Sequence, residues 1–182
     1  MSQFNCETCG ASCIDDHFKY VSRCEHCPAR ADDRSEIVIA TLLPEVHRYA
    51  RLLIAMSAKQ DIKIMLLSGL RNYKHQNELY AQGRTKPGRI VTNARGGFSN
   101  HNFGIAFDVG VFEGKKYLGE SPKYAQVGVI GRGIGLEWGG DWKNFKDMPH
   151  FQLRPGWANG MTEAEMFVIL RYREKDGAPI YT

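Results

Sequence analysis

From Ile105 the chain alternates. Ile105, Phe107, Val109 and Val111 are apolar, and Ala106, Asp108 and Gly110 fall between them. A period of two marks a strand with one buried face, so Asp108 stands on the opposite face between small neighbours. His101 lies in the loop just before, and Gly104 permits the tight turn that folds that loop back over the same face. The alternation resumes at His150, with His150 and Gln152 on one side and Phe151 and Leu153 on the other, and Pro149 argues against a helix there. Residues 62–67 read as a further short apolar strand, bounded by Gly69.

Elsewhere the period is helical. Leu42, Leu43, Val46, Tyr49, Ala50, Leu53 and Ile54 form one stripe, with Pro44 near the first turn and His47 off the stripe on the surface. Residues 74–82 and 122–130 read as shorter helices, with His75 exposed on the first. Residues 162–175 read as a helix with a Thr162 N-cap and apolar positions at Met166, Phe167, Ile169 and Leu170. Residues 31–36 read as a charged linker, 83–98 as a long loop rich in Gly, Lys and Arg, and 137–142 as a strand with a tight turn. The expected fold is α+β: a small antiparallel sheet with packed helices and a cleft on one sheet face. The loop is not a phosphate loop, because no strand enters it and no Lys-Ser/Thr pair closes it. Residues 131–135 lack the strand-helix-strand context of a dinucleotide site.

A length of 182 residues at 43% apolar content supports one globular domain with a small appendage. The appendage is residues 1–34, leaving 35–182 as the main domain. Within it, Cys6-x-x-Cys9 and Cys24-x-x-Cys27 form two knuckles, and four thiolates can close a structural zinc site. Two disulfides, or a redox-active arm, are the other readings of these cysteines. Cys13 is the odd one, either free or a replacement for one of the four. The unit carries four basic and six acidic residues while the whole chain is +4, so the body is basic. A net acidic cysteine unit makes a poor phosphate-tracking surface, which argues against nucleic acid as a partner. The basic body suits an anionic polymer. No apolar run is long enough to span a membrane, and the first residues lack the pattern of a signal peptide. The expectation is a protein made in the cytoplasm that acts elsewhere only after release.

His101, Asp108 and His150 make a three-ligand zinc set, and three protein ligands with an open position are the catalytic arrangement. The plainer reading is two unrelated histidines and a surface aspartate. Asp147, three residues before His150, is a candidate general base, with Glu137 and Asp141 as rivals. Arg71, just past a strand end, either steadies developing negative charge or forms a structural ion pair. Trp138 and Trp142 either wall the cleft or pack in the core.

These spaced motifs resemble the LAS-type zinc peptidases of bacterial cell walls, which include D-alanyl-D-alanine carboxypeptidases and dipeptidases and phage L-alanyl-D-glutamate endopeptidases. The pattern Ser-x-His-x-x-Gly-x-Ala-x-Asp is met by Ser99 to Asp108, and Asp/Glu-x-x-His by Asp147 and His150. The upstream arginine is matched by Arg71 and the Gln-x-x-Leu-Tyr helix by Gln76 to Tyr80. The resemblance covers residues 40–155. It implies that His101, Asp108 and His150 hold a catalytic zinc, that Asp147 rather than Glu137 or Asp141 is the base, and that Arg71 binds substrate or stabilises the transition state. Ser99, Gln76 and Trp138 are the substrate-side candidates. Asp at the base position, with the segment at 79–85, resembles the endolysin branch, which implies peptidoglycan as the partner and cleavage between L-Ala and D-Glu. The alternatives are a D,D-carboxypeptidase or dipeptidase, and a non-catalytic wall-binding module.

Overall fold

The computed structural model describes residues 30–182, together with the backbone of two short strands before them, β1 (Ser2–Asn5) and β2 (Ser12–Asp15), which pair antiparallel. Cys6, Cys9, Cys24 and Cys27, and with them the expected zinc knuckle, lie outside the described residues. The body then runs through α1 (Asp33–Ile39), α2 (Pro44–Ala58), β3 (Lys63–Ser68), α3 (Tyr73–Ala81), a 3-10 turn (Asn100–Phe103), β4 (Ala106–Glu113), β5 (Lys116–Leu118), α4 (Lys123–Gly133), β6 (Glu137–Trp138), β7 (His150–Gln152) and α5 (Glu163–Asp176). The expected α+β class is what is found. β3, β4, β7 and β6 pair in that order, every pair antiparallel, and β5 adds to the far end of β4.

The sheet has two unlike faces, as its alternation requires. Phe107, Val109 and Val111 of β4, Ile64 and Leu66 of β3 and Phe151 of β7 are buried against Ile39, Val46, Leu53, Tyr124 and Val127 from α1, α2 and α4. Ile105, just before β4, packs instead with Phe103, Met166, Phe167 and Leu170 in a second cluster under α5. Two glycines let α4 approach closely. A Cβ on Gly131 would stand 2.4 Å from the Phe151 ring, and one on Gly128 would stand 2.5 Å from the Trp138 ring. The glycines that suggested a nucleotide loop are thus partly helix-packing positions.

Three expectations need correction. The charged linker at 31–36 runs into α1, and the division between 34 and 35 falls inside that helix. Asp32 caps it by accepting from Ser35 N, Glu36 pairs with Arg51, and the buried Ser35 hydroxyl accepts from Leu66 N at 3.0 Å. Charge here marks capping and tethering, not a solvated tether. His47 is half-buried, with Nε2 3.0 Å from the Leu42 carbonyl. β5 had no counterpart in the sequence reading, because three residues are too few to show a period. Among the described residues no helix is long and apolar enough to cross a membrane.

Gly131→Ala is expected to lower stability by about 1–3 kcal/mol through overpacking against Phe151. This should outweigh the roughly 1 kcal/mol that alanine gains over glycine in a helix. Urea unfolding of the purified variant measures it.

Candidate active site

The polar face of the sheet is built by register. β4 and β7 pair so that Asp108 stands directly opposite His150, and β3 pairs so that Ser68 also faces Asp108. The β3 register shifts between Leu66 and Ser68, a bulge of the kind that re-aims side chains beside sites. His101 comes from the 3-10 turn, which ends at Gly104 with φ +67°. That left-handed residue turns the chain straight into β4, and only glycine adopts it without strain.

These elements bring three donor atoms together. His101 Nε2 lies 3.2 Å from Asp108 Oδ1 and 3.2 Å from His150 Nδ1, and His150 Nδ1 lies 3.3 Å from the same Oδ1. Both histidines are buried, and Asp108 is partly so.

The far ring nitrogens determine what these atoms are. His101 Nδ1 is 2.7 Å from the Gly69 carbonyl, which only accepts, so Nδ1 carries the proton and Nε2 presents a lone pair. His150 Nε2 is 2.9 Å from Gln152 Oε1, so the same logic leaves Nδ1 bare. Two lone pairs and a carboxylate oxygen therefore point at one another with no proton among them. Such a set is repulsive unless a cation sits at its centre. Two imidazoles and a carboxylate suit zinc, and the donors lie within 4.8 Å of one another, so the residues fit the metal.

Burial holds His101 below the usual imidazole range. Burial alone would raise Asp108, but the neighbouring His101 and His150 outweigh it and hold the carboxylate well below its ordinary value, and Asp108 in turn raises His150 against its own burial. Arg71 also reaches this carboxylate: its Nη2 donates to Asp108 Oδ2 and its Nε donates to Ser68 Oγ at 2.9 Å. Its backbone N–H donates to the His101 carbonyl at 3.0 Å.

The triad opens on a cleft of about 790 Å³. Asp147, Arg71 and Ser99 line it. The Asp147 carboxylate makes no hydrogen bond among the described residues, and burial, then the Asp108 charge, raise its pKa above the usual carboxylate value. Gly139 makes room for it. A Cβ there would stand 2.5 Å from the Asp147 carbonyl and 3.0 Å from His150 Cβ. The long loop supplies one wall through Val91, Thr92, Asn93 and Phe98, and Trp142 supplies another, with its ring 4.9 Å from that of His150.

The other candidates fall elsewhere. Glu137 faces Gln152 and Arg154, and Asp141 pairs with Arg132 on the surface, so neither rival base reaches the cleft. Gln76 is fully buried and does not line the cleft; its Nε2 donates to Thr92 Oγ1 and to the Ala94 carbonyl, bracing the loop from below. Trp138 is a core residue, with Nε1 donating to the Met148 carbonyl, and Trp142 takes the wall position. Sequence reasoning passed over Gln152, Asn100 and Glu163. Gln152 was visible two residues beyond His150 on the same face and Asn100 directly before His101, while Glu163 comes from a remote segment.

A buried His-Asp-His set beside a desolvated carboxylate in an open cleft is the arrangement of a metal-dependent hydrolase. The family model described as D-alanyl-D-alanine carboxypeptidase matches residues 92–153, which include the triad and Asp147. The chain is 38% identical over 152 residues to the peptidoglycan L-alanyl-D-glutamate endopeptidase CwlK of Bacillus subtilis (strain 168), covering 78% of this chain and 90% of that protein. It is also similar to the crystal structure of the Serratia marcescens L-Ala D-Glu endopeptidase ChiX, with 30% identity and a TM-score of 0.55, covering 69% of this chain and 90% of that one. The chain belongs to the LAS-type zinc peptidases.

Zinc at 100 times its dissociation constant is expected to stabilise the protein by about 2.7 kcal/mol. Thermal melting with and without added zinc reads this, and His101→Ala is expected to remove the part of the shift that belongs to this site.

Proposed function

We infer that this chain hydrolyses the bond between L-Ala and D-Glu in the peptidoglycan stem peptide. The observation that carries the hydrolytic reading is one cleft that holds the His101-Asp108-His150 set, an unbonded desolvated carboxylate at Asp147 and a guanidinium at Arg71. The choice of bond is supported by the two relatives, whose names state it. Zinc, when bound by the triad, supplies a Lewis acid and brings the pKa of water from 15.7 to about 7. Asp147 takes the proton of the attacking water and returns it to the leaving amine, and its raised pKa makes it a stronger proton acceptor than an ordinary carboxylate. Arg71 is held at Nη2 and Nε, and its Nη1 makes no hydrogen bond among the described residues, so it can meet the charge that develops on the carbonyl oxygen. Ser99 and Trp142 shape the cleft around the peptide.

The same reading makes the chain an endolysin acting on the wall in bacteriophage lysis, supported by Asp at position 147 and the segment at 79–85. Cys6, Cys9, Cys24 and Cys27 hold a second, structural zinc in a separate unit, supported by their spacing.

Digestion of purified peptidoglycan by the zinc-loaded protein, read by mass spectrometry, is expected to release new N-terminal D-Glu. Free D-Ala would instead place the chain with the carboxypeptidases, and binding without any product would make it a wall-binding module. Asp147→Asn is expected to lower kcat by about 10²–10⁴-fold with the fold intact. The base works only when deprotonated, so kcat/KM falls as pH drops through the Asp147 pKa. Because that pKa is raised, the acid limb lies above the ordinary carboxylate value of 3.8.

A further inference from the structure

We propose that Glu137 is a positioning residue for the metal centre, acting through the Gln152 side-chain amide on the His150 ring. The proposal rests on the reading of the triad as a zinc site. His150 can offer Nδ1 to a metal only if its proton sits on Nε2, and Nε2 faces Gln152 at 2.9 Å. An amide can present either its oxygen or its NH₂ group to that nitrogen, so Gln152 by itself does not choose the tautomer. Glu137 chooses it. Gln152 Nε2 donates to Glu137 Oε2 at 2.6 Å, and a carboxylate can only accept, so the NH₂ end must point toward Glu137 and Oε1 toward His150.

The polarity is supported on both sides. Arg154 Nε donates to Glu137 Oε1 at 2.6 Å and holds that carboxylate in orientation. Asn100 Nδ2 donates to Gln152 Oε1 at 2.6 Å, so the oxygen is required at that end as well. The relay is built into the sheet: Glu137 of β6 and Gln152 of β7 are directly paired, and Gln152 shares its face with His150. Gln152 is 1% exposed, so water does not substitute for its partners. The arrangement is the outer support that metal-binding histidines use to set their orientation and tautomer, extended here by one amide. The plainer alternative is that Glu137 and Arg154 only tie the two strands together.

Replacing the carboxylate with an amide reverses the sense of the relay. In Glu137→Gln the new oxygen accepts from Arg154 and the new NH₂ faces Gln152. Gln152 is then driven to turn its own oxygen outward and its NH₂ toward His150, against the restraint of Asn100 and the longer contact of its Nε2 with Glu163 Oε1 at 3.5 Å. Nδ1 of His150 then carries the proton and is lost to the metal. Adding Gln152→Glu restores the sense, because a carboxylate at position 152 accepts from both His150 and the amide at 137.

The test compares the full-length wild type, Glu137→Gln and the double variant Glu137→Gln/Gln152→Glu. Zinc affinity is measured by competition with a chelating dye, and the site is identified as the zinc lost in His101→Ala. The expected result is a dissociation constant raised about 10-fold in Glu137→Gln, in line with losses of outer partners, and returned to near the wild-type value in the double variant. Equal loss in both variants would overturn the proposal, as would unchanged affinity in Glu137→Gln. A lowered melting temperature of the zinc-free protein with unchanged affinity would show strand-tying alone and overturn it too. ¹⁵N NMR of zinc-free wild type above the imidazole titration needs no variant to fold. The His150 proton is expected on Nε2, and a proton on Nδ1 would sink the idea. If wild type holds no zinc that depends on His101, the metal reading of the triad fails as well, and that result is distinct from all the others.

Discussion

The constraint on which the site depends is the cross-strand pairing that sets Asp108 opposite His150. A slip of one residue by either strand would turn its polar side chain, Asp108 or His150, to the helical face and bring its phenylalanine to the cleft, because side chains alternate with period two. The stacked Phe107 and Phe151 rings, buried on the opposite face of the same two strands, oppose that slip. Core packing and metal geometry are therefore two faces of one register. The third donor, His101, is brought in by a left-handed turn at Gly104 and tied to the Gly69 carbonyl.

Around the triad each side chain has a hydrogen-bond partner. A backbone carbonyl holds His101, an arginine holds Asp108, and the Gln152 amide, itself bonded to Glu137, holds His150. The result is a buried concentration of lone pairs, costly alone and stabilised by a cation, which couples metal binding to the stability of the sheet. Asp147 stands apart from this network. It lines the same cleft without a hydrogen-bond partner among the described residues, and burial raises its pKa.

Much of this was legible in the sequence, for reasons that differ by residue. His101, Asp108, His150 and Asp147 lie in short motifs whose spacing maps directly onto a turn and two strands, so local rules placed them. The Thr162 cap, Pro44 in the first helical turn and the apolar stripe of α2 were legible for the same reason. The roles of Gln76, Trp138 and Glu137 were not legible. Gln76 sits on a helix whose relation to residues 92–94 depends on how a long loop closes. Trp138 and Trp142 are chemically alike, and only the close approach of Gly128 of α4 and of Gly140 to the Trp138 ring decides which is core.

What the sequence by itself determined is most of the elements, the two-sided sheet and the candidate ligands His101, Asp108 and His150, because each follows from periodicity and spacing within a few residues. What only the tertiary structure decided is which polar groups meet. Arg71 with Asp108 joins positions 37 apart in the chain, and Asn100 with Gln152 joins positions 52 apart. Those meetings depend on strand order and helix docking, and these are set by the packing of the whole core rather than by any local pattern.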